Sequence, residues 1–196
     1  MKVKYILSGY IVSILLIIFL IARAFIPAAL LLAAFLVERI IRKRKEALSL
    51  QFSASIYRNI TDRSLIFVPH GFDKHGVRTD INKPIILKEP YTSEDVGAAL
   101  RKCFGISSNG RYTIKDLNGH PALEAAGYKN GKKFIMDHKM QTVFFQRIEG
   151  YEYIAADRAE NWRGYVRKNT FTPTLPKKAS DTELGEAIHK VFNECK

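Results

Sequence analysis

At 196 residues the chain has room for one globular domain plus an appendage. Its formal charge of +12 invites a nucleic-acid partner, but residues 1–45 carry eight basic groups and one acid, which leaves only +5, interspersed with acids, for residues 46–196. No nucleic-acid partner is expected from so mild a surplus, and two cysteines, Cys103 and Cys195, are too few for a disulfide framework.

Tyr5 to Ala22 is an uncharged run whose helical length, about 27 Å, approaches the hydrocarbon thickness of a bilayer. A second apolar run broken by Pro27 precedes the basic cluster Arg42-Lys43-Arg44-Lys45. The expectation is a membrane anchor over 1–45, a two-helix hairpin of 5–22 and 26–41, with the bilayer as one partner. Positive flanks stay on the cytoplasmic side, which places residues 46–196 in the cytoplasm.

From residue 46 onward the chain reads as a single domain. Gln51 to Tyr57 and Leu65 to Val68 form an expected strand pair, and Lys83 to Lys88 an expected buried strand. Short helices are expected at Pro121 to Ala126 and Lys132 to Lys139. Gln141 to Ile148 turns at Glu149-Gly150 into Tyr151 to Ala155 as a hairpin.

Two segments stand out because they share one frame. Thr92-Ser-Glu-Asp-Val-Gly-Ala-Ala-Leu-Arg-Lys-Cys-Phe104 and Ser180-Asp-Thr-Glu-Leu-Gly-Glu-Ala-Ile-His-Lys-Val-Phe192 align Gly97 with Gly185, Ala99 with Ala187, Lys102 with Lys190 and Phe104 with Phe192. Each opens with a hydroxyl followed three residues later by a carboxylate, a capping box. Both then carry an apolar stripe at helical spacing. Glycine in a first turn costs helix stability relative to alanine, so Gly97 and Gly185 are expected where the helices press on a sheet. The fold class is therefore α+β, with α/β as the alternative: a sheet covered by helices, in two similar strand-then-helix halves, behind an N-terminal transmembrane segment.

No nucleophile elbow, phosphate-binding glycine loop or paired Cys-x-x-Cys motif is present, so no catalytic residue, cofactor or metal is assigned. The His70, Asp73 and His75 loop offers three metal ligands without a fourth at a defined spacing. A surface loop explains it as well, and a metal-dependent enzyme ranks behind a binding protein. Aromatic residues beside charged ones, Tyr151, Tyr153, Trp162, Arg163 and Tyr165, are candidates for contact with a protein partner. The same residues could equally be core.

Pro84 to Leu100, the Pro121 to Met140 stretch with Ala126-Gly127-Tyr128-Lys129, and the closing Ser180 to Phe192 resemble the immunity proteins of bacterial contact-dependent growth inhibition systems. The resemblance covers much of residues 50–195 and leaves out the N-terminal segment. It implies a non-enzymatic protein that binds and neutralises a cognate toxin C-terminal domain, often a nuclease, delivered by a neighbouring cell. It transfers no catalytic residues. The mildly basic domain departs from nucleic-acid mimicry, so a nuclease toxin would be bound away from its catalytic groove. The alternative is a membrane-anchored adaptor for some other cytoplasmic protein.

Overall fold

The computed structural model describes residues 35, 37–39, 51–73, 75, 77–108, 114–117, 119–146, 149–161, 163–168 and 172–196. The chain divides into two compact units, Met1–Leu48 and Ser49–Lys196. The expected spans, 5–22 and 26–41, lie outside the described residues except for helical positions at 35 and 37–39. Among the described residues no helix is long and apolar enough to cross a membrane.

The second unit is built on two long hairpins. Strand β1 (Gln51–Asn59) pairs with β2 (Leu65–Phe72), and β5 (His138–Gln146) pairs with β6 (Gly150–Arg158); β1 and β5 then join the hairpins side by side. Short strands β3 (Arg78–Asp80) and β4 (Ile85–Leu87) add to the outer side of β2, and β7 (Tyr165–Arg167) and β8 (Thr174–Leu175) to that of β6. Every pairing is antiparallel, which makes the class α+β and not α/β. Period-two alternation sends Ala54, Ile56, Leu65, Phe67, Val143 and Tyr153 to one face, where helices α1 (Ser93–Ser108) and α4 (Asp181–Glu194) cover them.

The capping boxes form as read. The Thr92 and Ser180 hydroxyls accept from the backbone N–H of Asp95 and Glu183, whose carboxylates accept in return from the Thr92 and Ser180 N–H groups. Charge-assisted hydrogen bonds hold both carboxyl pKa values below their usual range. The apolar stripes bury Val96, Leu100 and Cys103 on α1 and Leu184, Ile188 and Val191 on α4. Both cysteines are buried and free, as packing residues.

The duplication extends well beyond the two helices. β5 begins 87 positions after β1 (51 to 138), β7 follows β3 at the same interval (78 to 165), and α4 follows α1 at 88 (93 to 181). The registers carry over with them. Ala54 opposite Pro69 becomes Gln141 opposite Ala155, His70 opposite Asp80 becomes Ala156 opposite Arg167, and Leu65 opposite Leu87 becomes Tyr151 opposite Leu175. Ser55 and its equivalent Thr142 are direct partners, so a pseudo-two-fold axis runs between them. The repeat is thus hairpin, two short strands and helix. Between its copies lies an insert containing a 3-10 turn (Ile114–Leu117) and helices α2 (Pro121–Ala125) and α3 (Gly131–Asp137).

Three expectations are corrected. Gly97 and Gly185 press on a helix and not on the sheet: a β-carbon at Gly97 would overlap the Asp181 carbonyl, and one at Gly185 the carbonyl of Ser93, its symmetry equivalent. The segment at Lys83 to Lys88 is a short edge strand, with Ile86 exposed and Ile85 and Leu87 half-buried, since β4 has β2 on one side only. The helix expected over Lys132 to Lys139 ends at Asp137, because His138 and Lys139 are already paired with Asn59 and Arg58 in the sheet.

Candidate functional site

The face of the sheet turned away from α1 and α4 carries Ser53, Ser55 and Tyr57 from β1, Ile66, Val68 and His70 from β2, and Met140, Thr142 and Phe144 from β5. The insert covers part of it. Ala122 and Phe134 pack on Ile66 and Val68, with Tyr57, Leu123, Tyr128 and Ile135 around them. His138 is buried there, stacked on Phe134 at 4.1 Å with Nδ1 2.9 Å from the Phe134 carbonyl, which fixes the start of β5 against α3.

Among the described residues this face carries two adjoining clefts. One, of about 500 Å³, lies beside the insert and is lined by Tyr57, Asp80, His120, Lys129, Arg163 and Tyr165. The other, of about 310 Å³, lies around the pseudo-two-fold axis and is lined by Ser55, His70, Arg78, Thr142, Phe144 and Arg167, among others. Tyr165 borders both. Its hydroxyl donates to the His138 carbonyl at 3.1 Å, and its ring meets Tyr57 edge-on at 6.0 Å.

His70 forms the floor between them. Its Nδ1 is 2.9 Å from Ser53 Oγ, and its Nε2 is 3.0 Å from Ser55 Oγ and 3.3 Å from Asp80 Oδ1. Burial and the Arg78 charge push the imidazole pKa down to about 4, while burial pushes the Asp80 carboxyl up. The ring is therefore neutral at pH 7. With a carboxylate facing Nε2, the proton belongs on that nitrogen, and Nδ1 accepts from the Ser53 hydroxyl. A hydrolytic triad needs acid and nucleophile on opposite ring nitrogens. Ser53 and Asp80 lie on opposite ring nitrogens, but Ser53 is buried and lines neither cleft, while the hydroxyl that lines one, Ser55, shares Nε2 with Asp80. The network holds β1, β2 and β3 together.

A pH dependence follows from this environment. The depressed imidazole pKa contributes stability that is complete above the unfolded value near 6.5 and is lost as pH falls toward 4. The unfolded chain takes up that proton first. Wild type is expected to lose up to about 3 kcal/mol more than His70→Gln between pH 7 and pH 4. His138 and His189, also depressed by burial, titrate in both proteins and cancel in the comparison. Denaturant unfolding at a series of pH values measures it, and parallel pH curves would contradict it.

Above this floor sit two arginines. The Arg78 guanidinium lies 4.8 Å from the centre of the Phe144 ring and the Arg167 guanidinium 5.3 Å from it. Each belongs to an outer strand, β3 or β7, and among the described residues neither makes an ion pair. Arg78 has its pKa lowered, first by burial and then by Arg167.

Of the residues expected at a partner contact, Arg163 and Tyr165 come together in the larger cleft. Tyr151 and Tyr153 do not join them. They are buried on the opposite face beneath α1 and α4, where Tyr151 receives a 2.9 Å hydrogen bond from Arg101 and Tyr153 faces Leu184, so as partner contacts they are corrected to core residues. Trp162 lies outside the described residues. The His70, Asp73 and His75 loop is not assembled as a metal site: the His70 ring is held by Ser53, Ser55 and Asp80, and the Asp73 carboxylate accepts from the backbone N–H of His75 and Val77. Among the described residues no group of three or more His, Cys, Asp or Glu is placed to hold a metal ion. Sequence reading missed Arg78, Asp80 and Arg167. Their one local signal was the alternation Arg78-x-Asp80 and Tyr165-x-Arg167, two polar side chains on one face of a short strand.

No protein-family model matches the chain, and no curated protein matches its sequence. Solved structures do match. A protein of unknown function from Neisseria meningitidis superposes with a TM-score of 0.59 at 13% identity, over 76% of this chain and 97% of its own. A chain of the CdiA-CT/CdiI toxin and immunity complex from Yersinia pseudotuberculosis superposes with a TM-score of 0.55, also at 13% identity, over 74% of this chain and 98% of its own. Both neighbours are covered almost end to end, so the repeat-and-insert domain described above has the fold of a chain found in a toxin–immunity complex.

Proposed function

We propose that this chain is an immunity protein that neutralises a cognate toxin domain by stoichiometric binding, with the open face of the sheet, including Arg163 and Tyr165, as the docking surface. The observation that carries the reading is the fold likeness to a chain of a toxin and immunity complex. Two features support it. The open face offers two adjacent clefts that share Tyr165. In the hydroxyl–imidazole–carboxylate network on that face the hydroxyl opposite the carboxylate, Ser53, is buried and lines neither cleft, which favours a binder over an enzyme. The apolar run at 5–22 and the basic cluster at 42–45 would hold the domain at the cytoplasmic side of the inner membrane, where an incoming toxin is met.

The test is co-expression. Cells making the full chain are expected to survive induction of the toxin domain encoded beside its gene. Death at the rate of cells lacking the chain would overturn the proposal.

A further inference from the structure

The smaller cleft holds a juxtaposition that the fold does not need. Two guanidinium groups from separate strands, at positions 78 and 167, converge on one phenylalanine ring in a partly desolvated cleft, with no ion pair to either among the described residues. Like charges repel, and burial and the Arg167 charge both act against the charged form of Arg78. Asp80, the carboxylate nearest this floor, is turned onto His70 Nε2. Beside the arginines the cleft is lined by Met140, Phe144, Ile154 and Ala156. Such a site fits an anionic group carried on an apolar neighbourhood.

We infer that this cleft is a carboxylate socket, occupied by an aspartate or glutamate side chain of an acidic, partly apolar segment of the partner protein. Guanidinium forks match the two oxygens of a carboxylate, and an opposite charge between Arg78 and Arg167 converts their repulsion into attraction. A cleft of about 310 Å³ takes one side chain and its neighbours; a nucleic-acid strand would need a basic groove that tracks its backbone. The remaining domain charge of +5 over residues 46–196 complements an acidic segment. The inference rests on the immunity reading and names the chemistry of its contact.

The experiment measures binding of the full-length chain to the toxin domain encoded beside its gene, for wild type, Arg78→Gln/Arg167→Gln and Arg78→Lys/Arg167→Lys. The glutamine pair is expected to bind about 100-fold more weakly, with a flatter salt dependence, and the lysine pair to lie between it and wild type. Melting temperatures of all three are expected to agree, since both arginines are exposed. If wild type binds and the glutamine pair binds equally well with the same salt slope, the socket is overturned while the immunity reading stands. Failure of wild type to bind overturns both. If the glutamine pair keeps its toxin affinity but loses binding of a single-stranded oligonucleotide that wild type holds, the occupant is a phosphate backbone and the proposal falls.

Discussion

Gly97→Ala and Gly185→Ala are each expected to destabilise the protein by about 3 kcal/mol, a drop in melting temperature of roughly 6–12 °C for a chain of this size. Helix propensity alone would predict the reverse, since alanine is favoured over glycine by up to about 1 kcal/mol in a helix interior. Contact geometry decides the sign. The added methyl at either site would overlap a backbone carbonyl, of Asp181 or of Ser93, at the first turn of the facing helix. A carbonyl fixed in a capped helix cannot rotate aside. The helices must therefore separate, loosening the seam where Val96, Leu100, Leu184 and Ile188 meet the sheet. Valine at either site should cost more. Because both clashes occur at one crossing, separation forced by the first substitution relieves the second, and the double variant is expected to cost less than the sum. Thermal and denaturant unfolding of the full chain measure all of this. A raised melting temperature for either alanine variant would sink the close-crossing account.

Phe192→Ala is the second large loss, at about 4 kcal/mol. Its ring is fully buried in the α4 seam and carries the Arg58 guanidinium 4.8 Å from its centre. Truncation leaves a cavity that neighbours held by the sheet cannot fill. The repeat supplies an internal control in Phe104, the equivalent residue on α1. Phe104 leans on Phe145 and Tyr151 and borders an open cleft of about 280 Å³. Solvent from that cleft can occupy the space it vacates. Phe104→Ala is expected to cost about 2 kcal/mol, and the ordering is the test. Equal losses would mean that the two halves pack alike around their closing phenylalanines, against the asymmetry of their surroundings.

The likeness of the two helical segments was legible because caps and stripes are local. A capping box is closed within four residues, and Thr92 with Asp95 and Ser180 with Glu183 needed no knowledge of the rest of the chain. What the strands shared was less visible. Ser55 and Thr142, Asp80 and Arg167, or Leu65 and Tyr151 are structural equivalents without residue identity, so the duplication surfaced in the sequence only where the close helix crossing demands glycine. Tyr151 and Tyr153 show the same limit from the other side. Alternation with Glu152 puts both tyrosines on one face, but nothing local says that this face is the one the helices cover.

The sequence by itself therefore determined the first strand pair, the antiparallel hairpin at Glu149-Gly150, the capped helices and the small residue each requires in its first turn. Those depend on hydrogen bonds and side-chain periods spanning a few residues. Only the tertiary structure decided that the two glycines meet each other's helices, that His70 faces Asp80 and two serines, and that Arg78 and Arg167 share one ring. Residues that far apart in the chain are brought together by strand register, and the central register is set by which faces α1 and α4 bury when β1 and β5 pair. A one-residue slip there would leave every local pattern intact and misalign the two halves of the socket.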